Sequence, residues 1–414
     1  MTIPRGTRKL WVALIFFGGI VAPAWAQAPP LPLGSPVPVP TAPEGPRRGP
    51  ITVTPTISVT GEWNDNVFQN NANKVSDFIL GVTPGISVAI ESPIYRLIGS
   101  YSFTSEFYAD QDQLNEAFAQ HNLRLDASYR VTPLLTLFLS DTFTVANNSN
   151  LVAVENVSTG RTQSTSNTLS PGLSYQLAPR DALRLRGTWT TQSYDTAGAL
   201  DSDTYALEGF WDHAYTPRLT VSGGYQFAYF DVEGQPGVHT HTPRLGVSYR
   251  ITPTLTGSLS GGPTFQVPET GDVEVFPAIT AALQQRFAWG SATAQYDHAV
   301  GTAGGLGGTT ENQSLGGTVQ VDRLMRGLVL QFVPRYTHTT STIGQNVDVD
   351  TFSITLQARY EITRWMAAIA GYTHYMQRSG GSAVTTAAGT IAANDVDQNR
   401  VFVGLQFGYP ISFD

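Results

Sequence analysis

The 414-residue chain contains no cysteine. That excludes a disulfide framework, a thiolate metal site and a lipid-modified cysteine anchor. Charge is scarce as well: Asp, Glu, Lys and Arg make up 14% of the chain, and 24 basic against 32 acidic residues leave −8. Such a balance argues against a nucleic-acid surface. The Gly-rich stretch Gly301–Gly308 lacks Gly-Lys-Ser/Thr and so is no phosphate loop. Beyond residue 26 no run of eighteen apolar residues occurs, so no helical membrane span is expected there. Glycine, in contrast, is abundant at 40 residues, and hydrophobic residues are an ordinary 41%. A closed all-β barrel can absorb this length and this composition.

The first 50 residues read as two segments. Arg5, Arg8 and Lys9 precede an apolar run from Leu10 to Ala22 and then Ala24-Trp25-Ala26. This is the pattern of a secretory signal, 1–26, cleaved before Gln27. Residues 27–50 carry nine prolines, from Pro29 to Pro50. They favour extended polyproline II and cannot build a core. At about 3.1 Å per residue the segment reaches roughly 70 Å. It is either a periplasmic arm that meets a partner or a disordered leader.

From Ile51 to the end the chain alternates. In 122–131, Leu123, Leu125, Ala127, Tyr129 and Val131 oppose Asn122, Arg124, Asp126, Ser128 and Arg130. In 351–362, Phe352, Ile354, Leu356, Ala358, Tyr360 and Ile362 oppose Thr351, Ser353, Thr355, Gln357, Arg359 and Glu361. Period two over such lengths means strands with a different solvent on each face. About eighteen such segments are expected, joined alternately by short turns and long polar loops. The short turns repeat as sequence: Tyr129-Arg-Val-Thr-Pro, Tyr249-Arg-Ile-Thr-Pro and Ala214-Tyr-Thr-Pro. The long connections include 64–76, 147–163, 302–310 and 378–394. Tyr129, Tyr249, Tyr360, Tyr101, Phe103, Phe107 and Tyr229 fall near the ends of apolar faces, where interfacial girdles form. The expectation is an all-β, transmembrane, antiparallel up-and-down barrel over 51–414, with short periplasmic turns and longer external loops. Pro84, Pro171, Pro243 and Pro277 fall inside presumed strands on the lipid face. A proline there removes a ladder donor, so a shared local bulge is expected.

The last stretch, Arg400–Phe413, places Val401, Val403, Leu405, Phe407, Tyr409, Ile411 and Phe413 on one face and Arg400, Gln406, Gly404 and Gly408 on the other. Its Gly404-x-x-Phe407-x-Tyr409, with Phe413, resembles the terminal signal read by the bacterial barrel assembly machinery, although Asp414 follows Phe413. Further elements are Trp63-Asn-Asp65-Asn66-Val-Phe68, Ser76-Asp77-Phe78, Thr83-Pro84-Gly85-Ile86-Ser87 and Leu139-Ser-Asp141-x-Phe143. Ser170-Pro171-Gly172-Leu173-Ser174 repeats the Pro-Gly element. With these the chain resembles outer-membrane β-barrel porins found beside exopolysaccharide genes. The resemblance implies a monomeric or weakly associated barrel for polysaccharide export or passive permeation, and it supplies no catalytic residues.

The functional candidates are electrostatic. Arg96, Arg130, Arg184, Arg218, Arg250, Arg286 and Arg359 fall on the interior face near the short turns. A ring of fixed positive charge selects anions. The opposing expectation is that neighbouring acids neutralise it, as Asp126 would Arg130. Loops 147–163 and 378–394 are the candidates to narrow the lumen. Outer acids such as Asp110, Asp195, Asp203 and Asp348 either solvate loops or hold divalent ions that bridge lipopolysaccharide. His239-x-His241 has no third ligand at a convincing spacing, and the Asp212-His213 and Asp297-His298 neighbours point to opposite faces. No metal or cofactor is expected. The reading is an outer-membrane channel for hydrophilic solute or exopolysaccharide, with no enzymatic step. Its partners are lipid, lipopolysaccharide, the assembly machinery and periplasmic export proteins, and no nucleic acid. The alternatives are a structural or adhesion barrel with a closed lumen, and a hydrolase at the rim.

Overall fold

The computed structural model describes residues 50–151, 156–303, 305–343, 346–380, 383–386 and 389–413. The expected signal segment and, apart from Pro50, the Pro-rich segment lie outside the described residues.

Seventeen long strands follow in order. They are β1 (Ile51–Asn64), β2 (Asp77–Glu91), β3 (Tyr95–Tyr108), β4 (Glu116–Arg130), β5 (Leu135–Asn148), β6 (Arg161–Ala178), β7 (Asp181–Tyr194), β8 (Ser202–Ala214) and β9 (Leu219–Val232). Next come β10 (Val238–Arg250), β11 (Leu255–Pro268), β12 (Glu274–Phe287), β13 (Gly290–Thr302), β14 (Thr309–Val321), β15 (Leu328–Ile343), β16 (Asp348–Thr363) and β17 (Met366–Arg378). A small hairpin, β18 (Ala383–Thr386) and β19 (Gly389–Ala392), precedes the last wall strand. That strand runs as β20 (Val396–Gly408) and, past Tyr409 and Pro410, resumes as β21 (Ile411–Phe413).

Each wall strand is antiparallel to its chain neighbours, and β20 and β21 both pair with β1. The result is a closed barrel of eighteen strands, counting β20 and β21 as one. Closure leaves no unpaired strand edge, the condition for β-structure in hydrocarbon. The closing seam sets Ile57 opposite Phe407 and Trp63 opposite Val401. At Gly404 a Cβ would run into the Val59 carbonyl, so only glycine fits there.

The repeated turn sequence has a physical basis. In Thr132-Pro-Leu-Leu135, the Thr132 Oγ1 accepts the Leu135 N–H at 3.0 Å. Thr216 and Thr252 do the same for Leu219 (3.0 Å) and Leu255 (2.9 Å). The hydroxyl caps the turn while proline presets φ.

The prolines correct the expected bulge. Around Pro84 the β2–β3 ladder lapses between Val82↔Ser105 and Gly85↔Ser102, with no slip of register. Pro171 interrupts β6–β7 in the same way, and Pro243 interrupts β10–β11. Each proline keeps its pairing on the other side, opposite Ile57, Leu139 and Tyr225 respectively. Pro277 lies opposite Pro263, beyond the first residue of β12 that pairs with β13. The missing donor therefore costs a short gap in one ladder rather than an inserted residue. The recorded register shifts lie elsewhere, at strand ends such as Ala146/Asn148 and Glu361/Thr363.

The faces sort as the alternation demands. Val59, Phe78, Leu80, Leu207, Leu245, Leu259, Leu315, Val403 and Leu405 stand exposed on the outside. Thr52, Thr54, Thr56, Ser58, Thr60 and Glu62 of β1 face the interior. An apolar exterior around a polar interior is the arrangement of an outer-membrane β-barrel. The strands β1–β17 have 13 to 18 residues, more than the roughly 9–11 that cross a bilayer.

Candidate functional site: the lumen and its two mouths

The interior holds a cavity of about 3340 Å³. At one end it is lined by residues of the short turns, among them Pro133, Pro179, Pro217, Pro253 and Arg364. At the other it reaches Asn150, Leu151, Asn156, Tyr375 and Gln398. Between them the wall is mostly Ser and Thr, punctuated by charge.

Of the seven arginines proposed as a ring, Arg96, Arg130, Arg184, Arg250 and Arg286 line this cavity. Arg359 shares the inner face of β16 with Thr355, Gln357 and Glu361. Arg218 belongs to the exposed turn before β9, outside the strands, and is not among the residues that line the cavity. Neutralisation is partial. Arg96 lies 3.8 Å from Glu91, Arg359 lies 3.0 Å from Glu361, and Arg184 donates to both oxygens of Asp212. The expected Arg130–Asp126 pair does not form; Asp126 is taken by Arg124 at 2.7 Å, its neighbour two residues back on the same face. Among the described residues neither Arg130 nor Arg286 has an acidic partner.

Charge also climbs the wall where the sequence singled out no site. Arg244 reaches Ser260 (3.1 Å) and Thr280 (2.9 Å), and no acid pairs with it among the described residues. Arg186 lies 3.9 Å from Glu208, with its guanidinium over the Phe138 ring. Higher still, Arg400 makes a two-pronged contact with Glu62 at 2.8 and 2.9 Å. These residues share strict alternation with the ring, and that was the available signal.

The external mouth is built differently. Between β5 and β6, Asn156 and Ser158 reach the wall at β17. There the Ser158 N–H donates to Gln377 Oε1 (2.8 Å), Gln377 Nε2 donates to the Ser158 carbonyl (2.7 Å), and the Tyr375 hydroxyl donates to the Asn156 carbonyl (2.8 Å). Gln69, from the loop after β1, donates to Asn150 and Gln398 and accepts from the Ser158 hydroxyl. Val157 of this segment, Ala303, Leu306, Val347, Val349 and Ala393 form a buried apolar cluster with Ala199 packed against it. These residues come from loops and strand ends spaced around the barrel, so the cluster spans the bore. Of loop 147–163, Val157 joins this cluster, and Asn150, Leu151 and Asn156 line the outer end of the cavity. The loop 378–394 contributes Ala393 at its base, while Ala383 and Thr390 on its hairpin are exposed.

The histidines lie on the outside. His239 and His241 pack against Tyr229 and Phe227, and His241 contacts the Tyr225 hydroxyl. They belong to the interfacial aromatic belt. Asp212 faces the lumen and His213 faces out, where it meets Asp181 at 2.9 Å. No group of three or more His, Asp or Glu placed to hold a metal occurs among the described residues. Several outer acids are instead used internally. Asp395 accepts from the Ser379 N–H, and Asp201 accepts from the Tyr194 N–H at 3.0 Å. Burial pushes the Asp201 carboxyl above its ordinary range, with Glu233, Asp195 and Asp203 adding to the rise.

No protein-family model matches the chain, and no curated protein matches it. Among solved structures it is similar to OpdO of Pseudomonas aeruginosa (14% identity, 87% of this chain and 97% of that one, TM-score 0.43). It is also similar to OccAB4 of Acinetobacter baumannii (11%, 89% and 100%, 0.43). A third is the FrpB iron transporter of Neisseria meningitidis (9%, 87% and 81%, 0.44). At such identities and scores the likeness carries nothing about cargo.

Proposed function

We propose that the protein is an outer-membrane channel through which small hydrophilic solutes diffuse, with entry throttled by the loops of the external mouth. The observation that carries this is the polar cavity running from the periplasmic turns up to the crossing segment. Its mechanism is passive passage through a wet lumen shaped by fixed charge, without covalent chemistry. A polymer needs a continuous wide bore, so the loops packed over the outer mouth favour small solutes over exopolysaccharide.

The arginines set the preference for charge. Arg130, Arg286 and Arg244, which have no acidic partner among the described residues, favour anions. Reversal potentials in planar bilayers test this. Intact protein is expected to prefer chloride over potassium, and Arg130→Glu with Arg286→Glu is expected to reduce or invert that preference. Cation preference in the intact protein would overturn the assignment.

A second reading, a structural or adhesion barrel with a closed lumen, is favoured by the buried loop cluster. Absence of conductance in bilayers into which the folded barrel has inserted would select it. In either reading the outer face meets lipid and lipopolysaccharide. The closing strand, with Gly404, Phe407, Tyr409 and Phe413, is the segment offered to the assembly machinery.

A further inference from the structure

Two phenylalanines stand on an inner wall that is mostly Ser and Thr. Phe138 of β5 and Phe210 of β8 both line the lumen. Each is paired with a glycine on the next strand, Phe138 with Gly172 and Phe210 with Gly224. A Cβ at either glycine would run into the neighbouring ring, so each ring leans over its glycine and lies against the wall.

Each ring also carries a guanidinium. The Arg184 Cζ lies 5.5 Å from the centre of the Phe210 ring, and the Arg186 Cζ lies 5.8 Å from that of Phe138. The two arginines are two positions apart on the inner face of β7, about 7 Å along the strand. Both already have carboxylates. Arg184 donates to both oxygens of Asp212, which also accepts from the Ser222 hydroxyl at 2.6 Å. Arg186 lies 3.9 Å from Glu208. A guanidinium bonded along its edge and backed on one face by a phenyl ring has one surface left, its other face. For Arg184 that surface is open to the lumen, since the side chain is 49% exposed. Such a face is flat, delocalised and weakly hydrated, and it stacks on aromatic rings. With its charge met by Asp212, it selects for ring shape and π electrons more than for an anion.

We propose that Arg184 on Phe210, with Arg186 on Phe138 beside it, forms a stacking site in the lumen for small planar aromatic solutes, which are recognised by ring face rather than by charge. The site rests on the channel reading for its purpose, and equilibrium binding tests it without conduction.

Benzamide and cyclohexanecarboxamide are uncharged and carry the same polar group, but only the first is flat and aromatic. Ligand-observed NMR titration of the folded barrel in detergent, with protein-free micelles as blank, compares them. Benzamide is expected to bind about tenfold more tightly, the ratio that one cation–π contact supplies. Arg184→Lys with Arg186→Lys keeps both charges beside Asp212 and Glu208 but removes the flat faces, and should weaken benzamide about tenfold. Phe138→Leu with Phe210→Leu should do the same. Phe402 of β20 also lines the lumen and leans over a glycine, Gly371, but no arginine stacks on it among the described residues. Phe402→Leu should therefore leave binding unchanged. Heat-modifiable mobility checks that each variant is folded, and the lysine pair carries the test if the leucine pair is not. Equal affinity for the two amides, no binding of benzamide, binding unaffected by the two lysines, or an equal loss in Phe402→Leu would each overturn the proposal. Selective binding of benzamide by a barrel that does not conduct would support the site and overturn the channel reading alone.

Discussion

The two ends of this barrel are made from the same strands and solve opposite problems. At the periplasmic end, four-residue turns capped by Thr132, Thr216 and Thr252 hold the strands and leave the lumen accessible. At the external end, long polar connections turn inward, bond to Gln377, Tyr375 and Gln69, and bury an apolar cluster over the bore. The wall fixes width and charge, and in the proposed channel the loops decide what gets past.

The sharpest contrast between the ends is electrostatic. Arg400 and Glu62 hold each other just below the external loops, largely shielded from water. Arg400→Leu strands Glu62 and should cost about 3–5 kcal/mol, as breaking a buried pair does. Arg286 sits near the periplasmic mouth without an acidic partner among the described residues. Arg286→Leu should stay within about 0.5 kcal/mol. Urea unfolding in detergent micelles measures both; equal losses would erase the distinction.

Smaller effects per contact belong to the crossing segment. Tyr375→Phe with Gln377→Leu leaves the Ser158 N–H and the Asn156 and Ser158 carbonyls without wall partners. Each lost partner costs about 1–3 kcal/mol where the group stays buried. Limited proteolysis should then cut within 149–160 in the variant and spare the intact protein. Thr252→Ala at the opposite end should leave the proteolysis pattern unchanged.

The smallest effect is a pH response of the external loops. Burial raises the Asp201 carboxyl, so its charged form weakens the folded loop. The corresponding stabilisation is fully present below the unfolded carboxylate range and is lost as pH rises through the higher folded value. Asp201→Asn removes the penalty while keeping an oxygen for the Tyr194 N–H. Hydrogen exchange of residues 194–202 should slow in the variant at pH 7 and match the intact protein at pH 4. A larger gain at pH 4 than at pH 7 would reverse the sign.

Most of the wall was legible in the sequence because alternation is a local property. The inner and outer sets of β4 and β16, the turn positions and the closing strand all follow from period two. The proline positions were visible, but their consequence was not. Whether a missing donor produces a gap or a bulge depends on the partner strand, and register was held by the intact ladder on the other side. The lumen was half legible. The ring arginines declared themselves by face and turn, yet Arg124 sits on the same face as Asp126 and outcompetes Arg130 for it. The external mouth was the least legible. Ser149, Asn150, Asn156 and Ser158 look like solvated loop, and their burial depends on Tyr375 and Gln377 more than two hundred residues away.

Single-channel conductance, compared between the intact protein and the Tyr375→Phe/Gln377→Leu variant in one planar bilayer system, tests the central claim most directly. The account predicts small unitary steps for the intact barrel and severalfold larger steps for the variant, with the same sign of ion preference in both. Steps of equal size would contradict it, because the loops would then not be what limits passage.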